Sequence, residues 1–183
     1  TGVASEVVPM TDPSTNGEGP TLLETPDDPA FMAVLSRRSP IIQDGFDYWR
    51  SKGWPDRLPG REDIDPMDMS TLLPNVILLD VRQGPLDFFY RLVGTGVVHH
   101  LETDLTGSWM SEIEHQRPPS RIWESCERVV TTQCPLLSSI PYVGPHAEYL
   151  FGEDIILPLG DESGAVIKLL VFIAYIQKPT PIA

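Results

Sequence analysis

Residues 149–176 read YLFGEDIILPLGDESGAVIKLLVFIAYI, and this stretch decides the fold. Segments 149–157 and 166–176 have strand length and are rich in β-branched and aromatic residues. Between them, Pro158-Leu159-Gly160-Asp161-Glu162-Ser163-Gly164 supplies the residues that reverse a chain. Two strands joined by so short a turn can only pair antiparallel. Working outward, the same pattern recurs upstream. Val76–Arg82 is apolar and β-branched, Gln83-Gly84-Pro85 is a turn, and Asp87–Val93 is aromatic-rich. Alternation there puts Phe88, Tyr90 and Leu92 on one face and Phe89, Arg91 and Val93 on the other. Residues 136–143 make a fifth strand.

Helical signals lie before and between the strands. Asp28 has the character of an N-cap and Pro29 of a first helical residue. Phe31, Val34, Leu35, Ile41, Ile42, Phe46 and Trp49 then recur at helical spacing. Pro40 interrupts that face, which predicts two helices, 30–38 and 40–52, or one kinked helix. Asp65 and Pro66 open a short helix to about Leu73. Residues 94–118 hold short helical pieces among glycines and prolines, and 119–132 is a clearer helix. Strands joined by hairpins, with helices grouped between the second and third, predict an α+β fold: a five-stranded antiparallel sheet covered on one face by helices, with an N-terminal helical extension at 27–53. Sheet and central helices span 74–176 within one domain, 27–183. Residues 1–26 are expected to be a disordered acidic tail, too poor in apolar surface to offset their ordering entropy.

Charge narrows the function classes. The net charge is −13; residues 1–28 carry six acids and no Lys or Arg, leaving 20 acids against 13 bases in the rest. Such a surface repels phosphate backbones and anionic lipid, so neither nucleic acid nor membrane is an expected partner. No segment has the length of a membrane span, and the acidic N-terminus lacks the apolar run of a signal peptide. A cytoplasmic location with both Cys126 and Cys134 reduced is the expectation.

Several motifs together resemble a known family. Leu58-Pro59-Gly60-Arg61-Glu62-Asp63-Ile64-Asp65-Pro66, Leu72-Leu73-Pro74, Tyr90-Arg91-Leu92-Val93-Gly94-Thr95 and Asp104-Leu105-Thr106-Gly107 are similar to the bacterial PAS-like family labelled PAS_5. The resemblance covers about residues 30–176. It implies a PAS fold and a signal-sensing role, and it names no ligand and no catalytic residue. The family-motif residues Arg61, Asp63, Asp65, Pro66, Arg91, Gly94, Thr95 and Gly107 read as structural. Arg61, Asp63 and Asp65 make a capped, guanidinium-fixed turn, or else a charged cluster that recognises a partner or ligand. Arg91 pairs with Asp63, Asp65 or Asp80, or else binds a carboxylate ligand.

The function that follows is a non-catalytic sensory domain that binds a small molecule or a protein partner. Strand alternation and helix phase nominate Leu78, Phe88, Tyr90, His99, Trp109, Trp123, Ile156 and Phe172 as walls of a ligand pocket. The apolar stripe of residues 30–52 nominates a homodimer interface. An alternative is a haem sensor using His99 or His100, of which at most one would face a cavity; there is no Cys-x-x-Cys-His for covalent attachment. Flavin photochemistry is not expected, because the Asn-Cys-Arg-Phe-Leu-type motif is missing and Cys126 lies in a different context. His115 and His146 have no metal-ligand spacing, so no metal is assigned. Nor is there a nucleophile elbow, phosphate loop or dinucleotide fingerprint. A small α+β enzyme remains the third reading.

Overall fold

A computed structural model describes residues 19–142 and 144–178. Its strands are β1 (Thr21–Leu22), β2 (Val76–Arg82), β3 (Asp87–Val93), β4 (Leu136–Pro141), β5 (Tyr149–Gly160) and β6 (Val166–Gln177), and its α-helices are α1 (Pro29–Leu35), α2 (Pro40–Arg50), α3 (Thr95–Leu101) and α4 (Arg121–Thr132). The strands form one antiparallel sheet in the order β1-β4-β5-β6-β2-β3. The five expected strands are present, and β1 adds a sixth at the edge.

That extra strand corrects the expected tail boundary at residue 26. Thr21 and Leu22 pair with Leu137 and Leu136, Leu23 is fully buried, and its N–H donates to the Pro135 carbonyl at 2.9 Å. Two adjacent leucines bury enough surface to order this short piece. Residues 1–18 lie outside the described residues, as does Val143 at the end of the expected fifth strand.

The central helices cover one face of the sheet, as expected, and the N-terminal helical extension packs on the other, so both faces are covered. On one face, Phe31, Leu35, Ile42, Phe46 and Trp49 from α1 and α2 pack with Leu137, Ile155, Leu157, Leu170 and Phe172. On the other, Val97, Met110, Trp123, Cys126 and Val129 pack with Ile77, Leu79, Phe88, Tyr90, Ile156 and Val171. Double coverage explains why β6 reads as a nearly unbroken apolar run. The Trp49 indole donates to the Pro158 carbonyl at 2.8 Å across the first interface. Within the stripe of residues 30–52 expected to offer a homodimer interface, Phe31, Leu35, Ile42, Phe46 and Trp49 are buried against the sheet, while Met32, Val34, Ile41 and Tyr48 are partly buried.

The expected caps are formed. The Asp28 carboxylate accepts from the Ala30 and Phe31 N–H groups, and Pro29 opens α1. Residues 66–72 are a series of turns rather than the expected short helix. Asp65 does cap the first of them, accepting from Met67 N–H at 2.9 Å.

Candidate functional site

The space between β2–β3 and α4, where the sequence nominates a ligand pocket, is occupied by side chains. Phe88 and Trp123 meet edge to face with ring centroids 5.1 Å apart. Tyr90 is buried and its hydroxyl donates to Gln116 Oε1 at 2.6 Å. Of the nominated wall residues, Phe88, Tyr90, Trp123 and Ile156 share this face. Leu78 and Phe172 lie on the opposite face, under the N-terminal helices. Trp109 is half-exposed at the sheet edge, against Phe89 at 5.1 Å and under the Arg82 guanidinium at 4.2 Å, and it is Met110 that is buried instead. His99 is exposed at the end of α3. Cys126 is buried in the same packing, and burial pushes its thiol well above the ordinary range.

The family-motif residues hold loops in place. The Asp63 carboxylate accepts from Gly60 N–H at 2.7 Å and from both terminal nitrogens of Arg57, at 2.6 and 2.8 Å. This pairing, with the guanidinium first among its causes, holds Asp63 down at about 2. The guanidinium fixing the turn is thus that of Arg57, while Arg61 donates to the Ile64 carbonyl at 3.0 Å. Arg91 pairs with Asp80 through Nε at 2.7 Å, and Lys168 joins the same carboxylate. Pro66 begins the turns after Asp65, and Thr95 begins α3. Gly94 donates to the Val76 carbonyl at 2.7 Å, where a Cβ would collide with the Leu73 and Pro74 carbonyls. Gly107 sits at φ +89° beside β3.

Polar chemistry gathers instead at one end of the central-helix face, where α3 meets the connection from β4 to β5. The His100 ring is boxed by three tyrosines, with centroids 3.9 Å from Tyr175, 4.5 Å from Tyr149 and 6.1 Å from Tyr142. The Tyr142 hydroxyl donates to the His100 carbonyl at 2.9 Å and accepts from the His146 N–H at 3.3 Å. The His146 ring stacks on His99 at 5.1 Å. Two polar atoms in this box, His100 Nδ1 and the Tyr175 hydroxyl, are buried with no hydrogen-bond partner. Burial, followed by the neighbouring His99 and His146, lowers the His100 pKa. Burial raises that of Tyr175, reinforced by Tyr142 and Asp154.

Asp154 lies in the same region. It is buried and accepts from the Ser138 hydroxyl on the paired strand. Burial pushes its carboxyl up to about 6, against the pull of Ser138 and of the more distant Arg38 and Arg121. Its neighbour Glu153 points to the other face. There Glu153 accepts from the Ser39 N–H at 2.9 Å and pairs with Arg38 at 3.5 Å, where α1 passes into α2.

No spacing in the sequence connects His100, Tyr142, Tyr149, Asp154 and Tyr175, which converge only through the fold, from α3, the β4–β5 connection, β5 and β6. A haem does not fit these residues. His100 is packed among tyrosine rings and the His99 ring is stacked on His146, so ligation of an iron by either would require these ring contacts to be broken. Among the described residues, no group of three or more His, Cys, Asp or Glu could hold a metal ion, and no helix is long and apolar enough to cross a membrane.

Comparisons with known proteins bear on the family. No curated protein matches the chain. Similar solved structures include an RNA-binding light-oxygen-voltage receptor (11% identity, TM-score 0.46, covering 61% of this chain and 33% of that one). Another is a light-oxygen-voltage domain studied with a flavin analogue (12%, TM-score 0.44, 61% and 84%). A third is a fungal light-oxygen-voltage photoreceptor domain (17%, TM-score 0.40, 63% and 94%). The chain spans about a third of the first. These likenesses are too distant to carry an argument, and the assignment rests on sequence. The PAS_5 model, described as a PAS domain, matches residues 37–174, about three quarters of the chain, so the chain belongs to the PAS_5 family of PAS domains.

Proposed function

We propose that this is a cytoplasmic, non-catalytic sensory module that receives a small molecule at the His100–Tyr175–Asp154 end of the central-helix face and answers through α1 and α2. PAS family membership supports the sensory role. The observation that carries the finer reading is the placement of two consecutive acids on β5. Asp154 is buried beside the tyrosine–histidine box, and Glu153 fastens the α1–α2 junction on the opposite face. A small shift of β5 driven by occupancy on one side changes the fastening on the other. A ligand biases such an equilibrium only by its differential affinity for the two states.

The filled interior around Phe88 and Trp123 favours the end of the sheet over its centre as the receiving site. Orphaned buried polar atoms are the usual mark of a place where a ligand or water completes the hydrogen bonding. Native mass spectrometry of the purified protein tests the reading, together with amide exchange over residues 38–46. A small-molecule adduct that is lost in Tyr175→Ala, and whose removal speeds exchange at 38–46, is the expected result. No adduct, and no compound in a metabolite screen that alters exchange at 38–46, would overturn it.

A further inference from the structure

The chemistry of the box selects a class of ligand, an inference that rests on the receiving site proposed above. Tyr142, Tyr149 and Tyr175 lie close together beside His100, with mutual centroid distances of 5.3, 5.7 and 6.2 Å. Their planes are steeply inclined to one another, at 47° to 86°, as in a cage rather than a stack. Ring faces gathered in this way attract a cation through their quadrupoles, most strongly where water is excluded. Two carboxylates nearby have the matching sign. Asp154 is buried within electrostatic reach of Tyr175, and Glu148 within reach of His100. Among the described residues no lysine or arginine stands over these rings, and the Lys178 ammonium at the β4–β5 connection is engaged by the Ala147 carbonyl at 2.7 Å.

The occupant of the cage is the imidazole of His100, a flat nitrogen heterocycle. It is held by ring contacts, its Nδ1 having no hydrogen-bond partner. His100 lies in the last turn of α3, two residues before the left-handed C-cap Glu102. A side chain there can leave the cage by rotating about its own bonds. We infer that the cage of Tyr142, Tyr149 and Tyr175, with Asp154 close behind Tyr175, binds a small organic cation, a protonated amine or a quaternary ammonium, which displaces the His100 ring. The imidazole is thus the plug that a ligand replaces, and its departure frees the α3 end and the β4–β5 connection to rearrange.

The test is an NMR and calorimetric titration of the full chain with tetramethylammonium chloride and, separately, imidazolium chloride. Sodium chloride and sodium acetate serve as ionic controls. The expected result is saturable binding of the organic cations with ring shifts at Tyr149, Tyr175 and His100. Affinity should be at least tenfold weaker in Tyr149→Ala and in Asp154→Asn, and severalfold tighter in His100→Ala, where the plug is gone. Tyr175→Phe keeps the ring face and should retain most of the affinity. No saturable cation signal in either the wild type or His100→Ala, or equal binding of acetate, would overturn the inference. Neutral-ligand binding at the same rings would sink the cation assignment while leaving the receiving site standing. Cation binding without any change of exchange at residues 38–46 would do the reverse, leaving the cage and removing the sensory output.

Discussion

Glu153 and Asp154 are adjacent on β5 and are buried on opposite faces of one sheet, the first against the α1–α2 junction and the second beside Ser138 and Tyr175. Alternation along a strand makes this unavoidable, yet a buried acid on each face of a central strand is costly. Glu153 is compensated by Ser39 N–H and Arg38, whereas among the described residues Asp154 has Ser138 as its side-chain hydrogen-bond partner.

That imbalance has a pH signature. Burial raises Asp154 to about 6 from the usual carboxylate value of 3.8, so between about pH 4 and pH 6 the folded state binds more protons than the unfolded one. Its contribution makes stability fall as pH rises through this window, by roughly 3 kcal/mol at most. His100 is lowered and acts in the opposite sense, its contribution being lost as pH falls below its unfolded value. Asp154→Asn should raise stability above pH 6 by about 1–3 kcal/mol, leaving a steeper gain with pH between 4 and 6.5. Urea unfolding across that range measures both.

The Arg38–Glu153 pair fastens the helices to β4 and β5, with Arg38 Nη1 also donating to Ser139 at 2.8 Å. Glu153→Ala leaves a buried guanidinium unpaired and should cost about 3–5 kcal/mol. The double replacement Arg38→Met, Glu153→Leu should recover most of that loss. A double-mutant cycle read by thermal unfolding checks it.

Gly45 permits α2 to lie on β6. A Cβ there would stand 2.5–2.6 Å from the Phe172 ring, which is fully buried. Alanine is the better helix former by about 1 kcal/mol, yet Gly45→Ala should be net destabilising by about 1–3 kcal/mol through overpacking. Increased proteolysis between residues 36 and 53 would accompany the loss.

The interior around Trp123 is packed, so Trp123→Ala should cost about 3–5 kcal/mol and Phe88→Ala a similar amount. If the space were an open ligand cavity in the free protein, the truncations would cost well under 2 kcal/mol and would enlarge an existing void. Denaturant unfolding of both variants decides between the two.

The strands were legible because β-branched and aromatic runs alternate with unmistakable turn residues, as at 158–164. The Asp28-Pro29 start was legible because capping chemistry is local. Three features escaped. β1 is two residues long and exists only through its distant partner β4. The facing of Leu78 and Phe172 could not be read because both faces of the sheet are apolar, and a register shift between Leu78 and Leu79 breaks simple alternation across β2 and β3. Trp109 and Met110 could not be ranked because residue 109 is extended and 110 begins a single 3₁₀ turn, so no helical phase applies. The tyrosine–histidine box was illegible for a different reason: its members come from α3, β5, β6 and the β4–β5 connection, and only the fold brings them together.

The claim on which the sensory reading depends is that β5 couples its two faces. Amide exchange in the wild type and in Asp154→Asn at pH 7.5 tests it most directly. The change confined to one side chain on the central-helix face should slow exchange severalfold at residues 39–46 on the opposite face, by more than it does in α4. If exchange at 39–46 is unaltered while β4 and α4 respond, the two faces are independent and the proposed relay does not exist.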